Sequence, residues 1–120
     1  MRRPKQLFVI KQLDTTIHVI KVPITELALN YKKYHGMYIE TTGTFRQAFE
    51  EFAIYTDTNI MGESGSFWLD TNSDLQINTK AFDSMNDKKI TIKGMVDTTN
   101  KGHLNSYLAV IGKIYYWAAE

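Results

Sequence analysis

Cysteine is absent from the 120 residues. That excludes disulfides, thiolate catalysis and cysteine-ligated zinc or iron–sulfur sites. Long apolar runs are absent too. The basic start Met1-Arg2-Arg3-Pro4-Lys5 is followed by Leu7-Phe8-Val9-Ile10, which Lys11 and Gln12 break at once, whereas a signal peptide needs about 7 to 15 uninterrupted apolar residues. No segment approaches the roughly 18 apolar residues of a membrane span, so the expectation is a soluble, cytoplasmic protein with no membrane association. Low-complexity tracts and inter-domain linkers are missing, and 120 residues suit one domain that buries roughly 65% of the surface its unfolded chain exposes.

What is present is a strand written twice. Gly36-Met37-Tyr38-Ile39-Glu40-Thr41-Thr42-Gly43-Thr44-Phe45 and Asp87-Lys88-Lys89-Ile90-Thr91-Ile92-Lys93-Gly94-Met95-Val96 align with Ile39 on Ile90 and Gly43 on Gly94. The segments around the copies do not match, so a duplication is not supported. A glycine inside an alternating apolar run marks a bulge, a sharp coil or a close backbone approach, as the strands of a small closed barrel require. Gly43 and Gly94 are therefore expected at two corners of one barrel.

The rest of the chain fills in around these strands. Leu7 to Leu13 and Thr16 to Val22 read as a hairpin across Asp14-Thr15, stopped by Pro23. Thr25 is placed to cap a short helix to about Tyr34, which Gly36 ends. Ala48 to Tyr55 alternates as a strand, although a helix over Gln47 to Ile54 is also compatible. Phe67-Trp68-Leu69 is a short strand after a polar loop, Thr56 to Ser66. Thr79 begins a single helical turn through Met85. A polar turn, Asp97 to Gly102, leads to a final strand from His103 or Leu104 to about Trp117. The fold class expected is mainly β: a five-stranded OB-like barrel over residues 36–117, with short helices, one of them over 23–35, and an N-terminal β-hairpin extension over 1–22, all in one domain.

From Ile24 to Tyr116, about three quarters of the chain, the sequence resembles a group of bacterial domains of the OB (oligonucleotide/oligosaccharide-binding) type that have no settled biochemical role. The likeness lies in Ile24-Thr25-Glu26-Leu27, Tyr34-His35-Gly36, the strand ending in Gly43, Ala53-Ile54-Tyr55, Phe67-Trp68-Leu69, Val96-Asp97 and Lys101-Gly102-His103-Leu104. It implies a fold more than an activity, and the first twenty-two residues depart from it.

Catalytic and metal patterns fail on inspection. Asp70-Thr71-Asn72-Ser73-Asp74 opens like a calcium loop, but Leu75 stands where the sharp-turn glycine belongs and Ala81 where the bidentate glutamate belongs. Gly62-Glu63-Ser64-Gly65 lacks the final glycine and the strand–turn–helix setting of a nucleophile elbow. His18, His35 and His103 share no metal spacing; His103 is expected to bond Asp97 or a loop carbonyl. The glycines Gly36, Gly43, Gly94 and Gly102 are read as structural, and no cofactor is implied.

Rings are plentiful, and a small barrel uses most of them as core. Consecutive Tyr115-Tyr116-Trp117 face both sides of a strand, so at least one ring lies outside the interior. The candidate binding surface comprises Trp68, Lys88, Lys101, His103, Tyr107, Tyr115 and Trp117. Charge weighs against nucleic acid as its ligand. Residues 1 to 36 sum to +5 and residues 37 to 120 to −4, whereas phosphate neutralisation supplies most non-specific affinity. A non-catalytic module that recognises a protein partner is the expected function, with single-stranded nucleic-acid binding as the alternative.

Overall fold

A computed structural model describes residues 17–48, 51–56, 65–71 and 79–119. The elements in chain order are β1 (Val19–Lys21), α1 (Ile24–Leu29), β2 (Tyr38–Ala48), β3 (Glu51–Tyr55), β4 (Ser66–Leu69), α2 (Thr79–Ser84), β5 (Lys89–Asp97) and β6 (Val110–Ala119). Five of the strands close a ring in the order β2-β3-β4-β6-β5 and back to β2. Every strand of the ring pairs with two others in it, so little open edge remains. All its neighbours are antiparallel except β4 and β6, which run parallel. This is the OB-like barrel, and α2 is the helical insertion between its third and fourth strands.

β2 and β5 are long because their apolar residues alternate without a break. Ile39, Thr41, Gly43 and Phe45 of β2 are buried, as are Ile90, Ile92, Gly94 and Val96 of β5, while the residues between them are more exposed. The two copies of the repeated strand pair with each other. Gly43 lies opposite Ile90, and Ile39 lies opposite Gly94. Each glycine thus faces the isoleucine of the other copy, and the narrow interior receives one large side chain per pair instead of two.

The two glycines mark the corners expected of them. At Gly43 strand β2 changes partners, pairing with β5 from Tyr38 to Thr44 and with β3 from Thr44 to Ala48. Gly94 sits where the register between β5 and β6 shifts: Lys93 pairs with Tyr116 but Met95 with Gly112. The extra β6 residues bulge there, with Lys113 at φ +48°, as strongly coiled barrel strands require.

β1 is an addition outside the ring. Its register places Val19–Lys21 parallel to Tyr38–Glu40, and Val22 N–H donates to the Glu40 carbonyl at 2.9 Å. The expected hairpin partner, Leu7 to Leu13, lies outside the described residues. The helix after β1 is shorter than expected. Its N-cap position is Pro23 rather than Thr25, it stops at Leu29, and Asn30 at φ −130° separates it from a 3-10 turn over Tyr31–Tyr34. The Glu26 carboxylate spans the break, accepting Asn30 Nδ2–H at 2.9 Å and the Tyr34 hydroxyl at 2.7 Å. Gly36, at φ +77°, ends this region in the left-handed conformation that glycine adopts without penalty.

One end of the interior is an aromatic floor. Trp117 is fully buried, with Phe45 at 5.2 Å and Phe82 of α2 at 5.3 Å between ring centroids. Its indole N–H donates to Met85 Sδ at 3.2 Å.

Candidate binding face

The outer wall of β2, β3 and β4 follows from two-residue alternation. Phe45, Ile54 and Phe67 are paired across the three strands and fully buried. Their neighbours Arg46, Ala53 and Trp68, also paired in register, therefore point the other way. Tyr55 and Glu51 share the outer side with Ala53. Ala53 is small and fully buried, so the taller side chains around it close over it.

The connection between β5 and β6 folds onto this wall instead of extending as a strand. The last strand does not start at His103 or Leu104, as expected: β6 begins at Val110, and His103–Asn105 form a kinked turn with Leu104 in the left-handed region. Positive φ at Gly102 (+72°) and Leu104 (+57°) bends the backbone out of the extended region. A Cβ on Gly102 would stand 2.5 Å from Trp68 Cβ, so only glycine lets the chain lie so close to the tryptophan. Trp68 N–H donates to the Ala109 carbonyl, and Leu108 N–H to the Ser66 carbonyl, each at 3.1 Å.

Three rings meet at this place. His103 stacks on Trp68 at 6.0 Å and 28° between planes, and Tyr107 leans on it at 5.3 Å and 58°. Trp68 stays half-buried, and such offset and tilted arrangements suit the ring quadrupoles. Beside them the Tyr55 hydroxyl donates to the Glu51 carboxylate. Burial, followed by that bond, pushes the Tyr55 phenol well above the ordinary tyrosine range; burial also raises Tyr107. Arg46 Nε lies 3.5 Å from Asp87 Oδ1 and 3.9 Å from Glu51 Oε1, so the cation of this wall stands between two carboxylates.

Of the residues singled out in the sequence, Trp68, His103 and Tyr107 come together, and Lys101 is exposed in the same connection. Lys88 is exposed on the turn before β5, where its carbonyl accepts Phe45 N–H at 2.9 Å. Among the described residues no contact joins it to the rings. Trp117 and Tyr115 are not surface residues. The first belongs to the barrel floor. Tyr115 is 3% exposed with its ring edge against Tyr38 at 5.9 Å. Of the three consecutive rings it is Tyr116 that stays half-buried outside the interior, beneath Lys93 Nζ at 4.6 Å. Arg46, Glu51 and Leu104 were not expected at the face. For Glu51 the signal was its spacing of four residues, two strand periods, from Tyr55; Arg46 depends on strand register, which the sequence does not state.

Asp97, the partner expected for His103, is held by Thr99, and the His103 ring lies on Trp68. Asp97 Oδ1 accepts Thr99 N–H at 2.9 Å and the Thr99 hydroxyl at 2.6 Å, and these bonds hold its carboxyl below the usual aspartate value. His35 takes the neighbouring position, its Nδ1 accepting Thr98 N–H at 3.0 Å. A cleft of about 410 Å³ opens there, and one of about 550 Å³ lies between Lys21–Thr25 and Glu40–Thr42. Among the described residues no three His, Asp or Glu side chains form a group fit to hold a metal, and no helix is long and apolar enough to cross a membrane. Most of the calcium-like segment and of the Gly62–Gly65 loop lies outside the described residues.

Comparison with known proteins places the fold alone. No protein-family model matches the chain, and no curated protein does. Among solved structures, a protein assigned as an aspartyl-tRNA synthetase from Leishmania major Friedlin superposes with a TM-score of 0.51 at 9% identity. The match covers 92% of this chain and 23% of that one. The chain therefore spans about a quarter of the protein it resembles.

Proposed function

We propose that the protein is a non-catalytic binding module that recognises a protein partner through the outer wall of β3 and β4 and the β5–β6 connection. One observation carries this reading: a half-buried tryptophan, flanked by His103 and Tyr107 and mounted on rigid strands, beside an arginine already neutralised by Glu51 and Asp87. Aromatic anchors with a self-neutralised polar surround are the make-up of a protein-recognition patch. Phosphate chains need unpaired cations, and this wall offers few.

Single-stranded nucleic acid is the second reading. It is favoured by the ring faces on an OB-like barrel, which suit base stacking, and by the likeness in fold to a protein assigned as a tRNA synthetase. The two separate in one experiment. Fluorescent single-stranded DNA and RNA are titrated at about 50 mM salt, and proteins retained by the immobilised chain are compared with those retained by Trp68→Ala. The protein reading expects no oligonucleotide binding and a retained protein that Trp68→Ala loses. Oligonucleotide binding that weakens steeply by about 200 mM salt and is lost in Trp68→Ala overturns it.

A further inference from the structure

We infer that Leu104 is the anchor with which this face engages its partner, a protein offering an apolar pocket with a carboxylate at its rim; the inference rests on the protein-binding reading above. Leu104 is 77% exposed, so the packing of the barrel makes little use of it. Its φ of +57° lies in the left-handed region that a Cβ disfavours and that glycine or asparagine would occupy at lower cost. An apolar side chain held at the surface in a strained conformation points to a use outside the folding of the chain.

The turn that displays it is closed and clamped. Tyr107 N–H donates to the Lys101 carbonyl at 3.0 Å, Ser106 N–H to the His103 carbonyl at 3.2 Å, and the Ser106 hydroxyl to the Leu104 carbonyl at 3.3 Å. Gly102 and His103 pin the same turn to Trp68. A side chain presented on a turn ordered in advance loses little freedom on docking, and it gains most when a pocket encloses it. Charge gives the rim its sign. Lys101 is exposed and forms no ion pair among the described residues, whereas Arg46 already has its carboxylates. A leucine has no π-face for a base, and one lysine is a poor match for a phosphate chain.

The test uses four immobilised forms of the full chain: wild type, Leu104→Asn, Leu104→Met and Trp68→Ala. Proteins retained from a lysate of the source cells are quantified on each, and the strongest one specific to wild type is purified and titrated. Its affinity is expected to be kept by Leu104→Met and to fall about tenfold or more in Leu104→Asn, as truncating an anchor does. Leu104→Asn is also expected to melt at the wild-type temperature or above it, because asparagine tolerates the left-handed backbone. Undiminished binding by Leu104→Asn, a lowered melting temperature, or no protein specific to wild type overturns the inference. Loss on Trp68→Ala with full binding by Leu104→Asn removes the anchor and leaves the face standing; indifference to both removes the face as well. A fluorescent oligonucleotide bound by wild type and lost by Leu104→Asn replaces the protein pocket with a nucleic-acid site.

Discussion

At Gly43 a methyl group would stand 2.6 Å from the Tyr55 carbonyl oxygen, 2.8 Å from Ile24 Cδ1 and 2.9 Å from Ile54 Cγ1. The isoleucine tips can shift, but the carbonyl belongs to a strand in the ring and cannot. Gly43→Ala is therefore expected to destabilise the fold by about 1–3 kcal/mol, the usual cost of overpacking, read as a lower urea midpoint at an unchanged slope. Thr41, on the same strand, has the opposite sign. It is 2% exposed and its hydroxyl has no hydrogen-bond partner among the described residues. A buried unpaired polar group costs roughly 1–3 kcal/mol, so the isosteric Thr41→Val is expected to raise the midpoint. An unchanged or lowered midpoint would mean that the hydroxyl is satisfied in solution.

Among the elements, the turn after β5 carries a pH dependence with a definite sign. Asp97 accepts two bonds from Thr99, and its folded value lies below the ordinary 3.8. A carboxyl depressed in the folded state contributes stability that is fully present above its unfolded value and is lost as pH falls through the folded one. The melting temperature is thus expected to drop as pH falls below about 4, and Asp97→Asn is expected to make that drop shallower. Equal slopes for variant and wild type between pH 5 and pH 2.5, roughly the window in which carboxylates titrate, would show that the turn contributes nothing there. Glu26 works in the same direction at the break between α1 and the 3-10 turn, since the Tyr34 hydroxyl and then Asn30 lower it. The same carboxylate raises the Tyr34 phenol. Local propensity indicated a single helix here; a side-chain bridge across Asn30 supports two short pieces instead.

For the whole molecule, Trp117 is where the ring and α2 meet: it pairs with Ile92 of β5 and packs on Phe45 of β2, Phe52 of β3 and Phe82 of α2. Trp117→Ala leaves a cavity among Phe45, Phe52 and Phe82 and is expected to cost about 3–5 kcal/mol. Against the 5–15 kcal/mol typical of a domain, that is a large share. Urea denaturation followed by far-UV circular dichroism measures it, and a loss under about 1 kcal/mol would mean that the floor repacks. The same burial withdraws Trp117 from any binding role. The candidate face lies on the other side of the wall, where Trp68, His103 and Tyr107 come from segments separated by more than thirty residues of chain.

Alternation and the two glycine-bearing strands were enough to read a small β-barrel, because the two-residue period and the need for room at barrel corners are local properties of the chain. The OB-like class, the helical turn before β5 and the place of Trp68 on a strand were legible for the same reason. The sense of each ring was not. Tyr115 and Trp117 looked available and are buried, because the bulge opposite Gly94 and the packing of α2 determine which way β6 turns its side chains. Which residues of the candidate face meet was decided by tertiary structure, although Trp68, Lys101, His103 and Tyr107 could be singled out from the sequence. Strand register sets Arg46 and Ala53 beside Trp68, and two residues with positive φ fold the β5–β6 connection over it; both depend on contacts between segments distant in sequence.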